Sequence, residues 1–162
     1  MAEITAALRG NDLTLTDFEV IRLTPSMDAD SYLPVLEYAG TLGARNVMLT
    51  ATSAGVTGPN AEAGLARALE KLGDHATRFG IRPMLEFMAY RDVASLAQAT
   101  RIVRLVGSDR VGICIDALHL NRSGGTTADV VATDPALIAA GPATRCVARW
   151  ATARGSRRGG AV

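Results

Sequence analysis

The chain has 162 residues, enough for one domain with a substantial core and too few for two comfortable ones. Hydrophobic residues make up 48% and charged residues 20%, a globular composition that excludes a disordered chain. A formal net charge of +1 excludes a global field drawing the protein to nucleic acid or an acidic membrane surface. The basic residues are sixteen Arg and one Lys (Lys71) amid abundant Ala and Gly, which reads as codon bias rather than phosphate recognition.

The start carries Glu3 and Thr5 where a secretory peptide has a basic start and an apolar run, and no stretch is apolar enough to span a bilayer. Two cysteines, Cys114 and Cys146, are therefore expected to be unpaired thiols in a reduced, cytoplasmic protein. Phe18 to Leu23 reads as a strand. Asp30 or Ser31 then caps a helix bearing Leu33, Leu36 and Leu42, with Pro34 tolerated in its first turn and Gly43 ending it. Asn46 to Thr50 is the next strand, followed by a Gly/Ser/Thr loop from Ala51 to Pro59.

Asn60 opens the clearest helix. Leu65, Leu69, Leu72, Ala76 and Phe79 recur at steps of four and three and form one face, and Gly80 stops it. Pro83 to Met88 is a strand. Asp92 caps a helix with Leu96, Ala99, Val103 and Val106 on one side, ended by Gly107. Val111 to Ile115 is almost wholly apolar, as in a parallel strand covered on both faces, and Cys114 within it reads as a small core residue. The loop Asn121 to Thr127 precedes a short helix around Ala128 to Val131. This rhythm predicts an α/β fold with about four parallel strands alternating with helices. After Ile138 the chain has no acidic residue and no period, so the expectation is one domain over 1–138 and a disordered Arg/Ala/Gly tail over 139–162.

The chemistry concentrates at two strand ends. Met84, Glu86 and Met88 share one face of a strand, and Gly112, Cys114 and Asp116 share one face of the next. Adjacent parallel strands lie about 4.8 Å apart, so the two carboxylates can approach. Unmetallated they repel and one pKa rises, whereas a divalent cation removes the penalty and supplies a Lewis acid. His119, just past the strand, is placed to ligate or to contact a substrate. The glycines and Arg122 in the loop Asn121 to Thr127 could cradle a phosphate, or form an ordinary βα turn. His75, near Asp74 and Arg78, reads as a surface residue; Asp17 and Glu19 carry no local sign of catalysis.

At Leu85-Glu86-Phe87-Met88 and at Ile115-Asp116-Ala117-Leu118-His119-Leu120-Asn121-Arg122-Ser123-Gly124 the chain resembles the xylose isomerase-like TIM-barrel superfamily, in its sugar phosphate isomerase/epimerase branch. The run Asp17 to Gly43, with Leu42-Gly43-Ala44-Arg45-Asn46-Val47, resembles it too, so that the likeness covers roughly residues 5 to 138. The resemblance implies a partial (β/α)8 barrel whose Glu86 is both metal ligand and acid/base, with Asp116 a second ligand. It also implies that His119 contacts substrate and that Arg122 holds the substrate's polar or phosphate-bearing end. The implied cofactor is a divalent metal, Mn2+ or Mg2+ first, with Co2+ or Zn2+ as alternatives, and the partner a small-molecule sugar or sugar phosphate.

A full barrel needs eight strands and typically about 250 residues. By the resemblance this chain carries the third to sixth strands, and it has no Glu after Glu86 and no His after His119. The sequence reading is therefore a chain truncated at both ends, with impaired activity and a possible homodimer of half-barrels. Its alternative is a non-catalytic, self-associating remnant of the fold. An apurinic-site endonuclease relative fits worse, because two histidines and a net charge of +1 supply neither a His-rich metal cluster nor a basic face.

Overall fold

A computed structural model describes residues 2–53 and 58–139 of the chain. In order, the elements are α1 (Ala2–Gly10), β1 (Asp17–Leu23), a 3-10 turn (Ala29–Tyr32) running into α2 (Leu33–Thr41), β2 (Asn46–Ala51), α3 (Pro59–Thr77), β3 (Arg82–Glu86), α4 (Leu96–Val106), β4 (Gly112–Cys114), α5 (Ala117–Arg122), α6 (Thr127–Ala132) and a 3-10 turn (Pro135–Leu137). The four strands form one parallel sheet in the order β1-β2-β3-β4. The expected α/β architecture is thus present, with helices in the strand-to-strand crossovers as parallel pairing requires.

Strand alternation divides the sheet into two faces. Leu23, Leu49, Leu85 and Ile113 point into the main core, where they meet Leu65, Leu69 and Leu72 of α3 and Ile102 and Val103 of α4. Met48, Met84 and Cys114 point the other way and gather with Ala139. Gly112 is needed there because a Cβ on it would lie 2.8 Å from the Ala139 Cβ, closer than real carbon atoms approach. Past the last turn, Ile138 pairs in parallel with Ile113, and the Ala139 N–H donates to the Ile113 carbonyl at 3.0 Å. The expected tail lies outside the described residues apart from Ala139, which is fully buried, and Cys146 lies outside them as well.

Several local expectations shift. Asp28, rather than Asp30 or Ser31, caps the first turn of the α2 segment by accepting from the Asp30 N–H. Ser95, rather than Asp92, caps α4, its hydroxyl accepting from the Gln98 N–H, while Gln98 Oε1 accepts from the Ala94 N–H. Asp92 instead accepts from the Thr52 hydroxyl (2.9 Å) and the Ser53 N–H (2.6 Å) at the exit of β2. α1 and α5 are elements the periodicity did not announce. His75 is no surface residue: it is 7% exposed, and its Nε2 lies 2.6 Å from Asp30 Oδ1, which joins α3 to the 3-10 turn before α2.

Candidate functional site

β3 ends on Glu86, and the register sets its neighbours: Thr50 of β2 on one side and Cys114 of β4 on the other, with Arg22 of β1 opposite Thr50. Arg22, Thr50, Glu86 and Cys114 therefore form one row across the sheet. Two residues along from Met84, Glu86 shares the face of Met48, Met84 and Cys114, away from the helices. It is 8% exposed, and among the described residues no group donates a hydrogen bond to its carboxylate. Burial first, then the negative charges of Asp116 and Glu19, raise its pKa from 4.5 to about 7.

Asp116 follows β4 and caps α5: its Oδ1 accepts from the His119 N–H at 2.9 Å, which leaves Oδ2 free of any described partner. The structure thus brings Glu86 and Asp116 within electrostatic reach of each other, with Asp116 beyond the end of β4 rather than on the strand. Glu19 joins them unexpectedly. The register of β1 slips between Phe18 and Ile21, so simple alternation along that strand does not place Glu19. Cys114, at the centre of this acidic group, has its thiol pushed up to about 12 by burial and then by Glu86, Asp116, Asp17 and Glu19. At neutral pH it stays protonated, a packing group rather than a nucleophile.

His119 sits in the first turn of α5, its ring meeting that of Tyr90 edge to face with centroids 5.7 Å apart and planes at 71°. Its Nδ1 is shielded from solvent and has no hydrogen-bond partner among the described residues. Arg122 is exposed at the end of α5 and makes no ion pair among the described residues. The loop behind it does not cradle an anion: the Gly124 and Gly125 N–H groups donate to the carbonyls of Asn121 and Leu120 and so close α5. Ser123, Gly124 and Gly125 line instead a cleft of about 490 Å³ against Arg101 and Arg104 of α4, and neither Glu86 nor Asp116 lines it.

No three His, Cys, Asp or Glu side chains among the described residues are grouped closely enough to hold a metal. Two hard carboxylates suit a divalent ion that keeps most of its water, such as Mg2+ or Mn2+. They do not complete the three protein ligands of a catalytic zinc.

The model of the family described as xylose isomerase-like TIM barrel matches residues 27–147. The chain belongs to that family. No curated protein matches it. Among solved structures, it is similar to an IolI protein with a bound zinc atom, at 20% identity and a TM-score of 0.72 over 84% of this chain and 53% of that one. It is also similar to a D-psicose 3-epimerase solved in the presence of D-fructose, at 19% identity and a TM-score of 0.69 over 85% and 54% of the two chains. A 3-keto-D-glucoside 4-epimerase from E. coli aligns at 18% identity and a TM-score of 0.70 over 85% and 61%. The chain therefore spans about half the length of these structures. At such identities the likeness establishes the xylose isomerase-like fold, whose described part here is four parallel strands with their helices. No described helix is long and apolar enough to cross a membrane.

Proposed function

We propose that this xylose isomerase-like chain carries a proton-transfer site of a sugar or sugar-phosphate isomerase or epimerase, with Glu86 as its acid/base. The observation that carries the reading is Glu86 itself: a buried carboxylate at the C-terminal end of a barrel strand, unpartnered, with a pKa raised to about 7. That raised value belongs to the metal-free site and marks a carboxylate whose charge the protein leaves uncompensated, the charge a divalent ion would balance. Catalytic groups of such barrels sit at this end of the strands. The epimerases among the similar structures point to sugars as the substrate class.

In this reading Glu86 Oε removes the proton from the carbon beside a ketose carbonyl. Return by Glu86 to the neighbouring carbon gives the isomer, whereas the epimer needs a second acid on the opposite face of the sugar. Glu86 and Asp116, through its free Oδ2, would hold a divalent ion, which supplies polarisation of the carbonyl and its adjacent hydroxyl. The backbone bond from His119 fixes the Asp116 carboxylate, and burial beside Met84 and Cys114 limits the water around Glu86. His119 and Arg122 would meet the substrate's hydroxyls and its polar or phosphate-bearing end.

The test is exchange in D2O. With Mn2+ and a panel of ketohexoses and their phosphates, the native protein is expected to place deuterium on the carbon next to the carbonyl, and Glu86→Gln to place none. Calorimetry should show one Mn2+ bound, with binding lost in Glu86→Ala and Asp116→Ala. Native protein that neither exchanges deuterium nor binds the ion sinks the reading. That outcome would favour a second one, a non-catalytic, self-associating protein of the same fold. What supports this alternative is that the described residues offer no third ligand.

A further inference from the structure

Past Glu86, the loop leaving β3 holds an aromatic ring out of the core. Its backbone is closed by the Met88 N–H donating to the Val93 carbonyl (3.0 Å) and the Arg91 N–H donating to the Met88 carbonyl (2.8 Å). Phe87 and Val93, on either side of this turn, are buried. With both ends anchored, the turn lifts Tyr90 to 63% exposure, the one aromatic side chain among the large hydrophobic residues exposed in the described structure. The Arg91 guanidinium carbon lies 5.6 Å from the Tyr90 ring centre. Past β4, the His119 ring and the Tyr90 ring meet in a T-shaped contact, and His119 keeps an Nδ1 without a hydrogen-bond partner among the described residues.

An exposed aromatic side chain, an imidazole nitrogen without a described partner and a guanidinium thus lie together on the loops that follow Glu86 and Asp116. A molecule that satisfies all three has a polarised carbon–hydrogen face together with hydroxyl groups. The electron-rich face of an aromatic ring attracts such C–H groups. A hydroxyl both donates and accepts, so it fills Nδ1 in either imidazole tautomer. That combination is a sugar.

We propose that Tyr90 is the platform on which the sugar substrate docks, its ring against the sugar's C–H face, while His119 Nδ1 takes a sugar hydroxyl. Docking requires Nδ1, shielded in this structure, to be uncovered as the sugar arrives, and the neighbouring Tyr90 side chain is exposed enough to move on the nanosecond scale. The proposal rests on the sugar isomerase or epimerase reading and adds to it the residue that selects the ligand. Tyr90 touches substrate without moving a proton, so its loss acts on binding rather than on proton transfer.

The experiment titrates native protein, Tyr90→Phe and Tyr90→Ala with D-fructose and D-psicose in the presence of Mn2+, following dissociation constants and the Tyr90 ring resonances by NMR. Sugar is expected to shift those resonances, Tyr90→Phe to bind within about twofold of native, and Tyr90→Ala to bind about tenfold more weakly. An unchanged thermal melt of Tyr90→Ala shows that the loss is not misfolding. If Tyr90→Ala binds sugar as tightly as native, or sugar binding leaves the ring resonances unmoved, the platform is overturned and the Glu86 chemistry stands. If native protein binds neither sugar, and shows no deuterium exchange, both are overturned.

Discussion

Glu86 combines three properties that rarely coexist in a residue kept only for structure: it is buried, it lacks a described hydrogen-bond donor, and two other carboxylates bear on it. Each of these favours its neutral form, so the metal-free folded protein binds the Glu86 proton more tightly than the unfolded chain does. The direction of the pH dependence follows from linkage. The stabilisation from this group is fully present below its ordinary value of 4.5 and is lost as pH rises to about 7. The size of the loss is on the order of 3 kcal/mol. Urea midpoints in a chelating buffer should therefore fall between pH 5 and pH 8 by more in the native protein than in Glu86→Gln, which has no proton to lose. Equal falls in the two proteins would show that the carboxylate is not held neutral by its surroundings. Cys114 contributes little to this dependence, because its thiol is pushed up to about 12 in the fold and its ordinary value of 9.0 in the unfolded chain also lies above the range.

At the scale of elements, caps show how tertiary contacts choose between local options. Asp92 and Ser95 both stand before α4 and both are good capping residues, and the sequence alone favours the first. Asp92 is claimed by Thr52 and Ser53, about forty residues earlier in the chain, leaving Ser95 to cap. Ser95→Ala should cost about 1 kcal/mol and release the Gln98 N–H to hydrogen exchange. Asp92→Ala should release the Ser53 N–H and leave Gln98 protected. If the two variants expose the same amides, the division of labour is wrong. The same logic separates what was legible from what was not. The helix α3 could be read because Leu65, Leu69, Leu72 and Ala76 form an apolar stripe that packs on the sheet, whereas α1 buries no residue and has no stripe to read. Glu86 could be assigned to the face of Met84 because strands alternate, whereas Asp116 stands beyond the end of β4 as the cap of α5. Glu19 could not, since a slip in register interrupts the alternation between Phe18 and Ile21. Nor could the burial of His75, whose partner Asp30 lies 45 residues away in the chain.

Across the whole molecule, β3 separates stability from chemistry along its five residues. Glu86 stands at the C-terminal end, where barrel enzymes keep their reacting groups, and Arg82 stands at the other end, roughly 13 Å away along an extended strand. The Arg82 Nη2 donates to the carbonyls of Ser108 (2.7 Å), Val111 (3.0 Å) and Ala136 (3.0 Å). It thereby ties the start of β3 to the start of β4 and to the turn that delivers Ile138 to its bridge with Ile113. Three carbonyls gathered on one guanidinium nitrogen are left without that donor if the arginine is removed, so Arg82→Ala should lose about 3 kcal/mol of stability. A lysine ammonium also carries three donors on one nitrogen, but its flexible stem ends short of the Nη2 position, so Arg82→Lys should recover only part of it. The loss should also be local before it is global. In Arg82→Ala the Ala139 amide, bonded to the Ile113 carbonyl, should lose exchange protection well before the Leu49 and Leu85 amides at the sheet centre. In Arg82→Lys, which keeps the charge, the extra fall in stability between pH 5 and pH 8 attributed to Glu86 should persist. Protection lost uniformly, or a vanished Glu86 dependence, would mean that the two ends of β3 are coupled and that the clamp shapes the site itself.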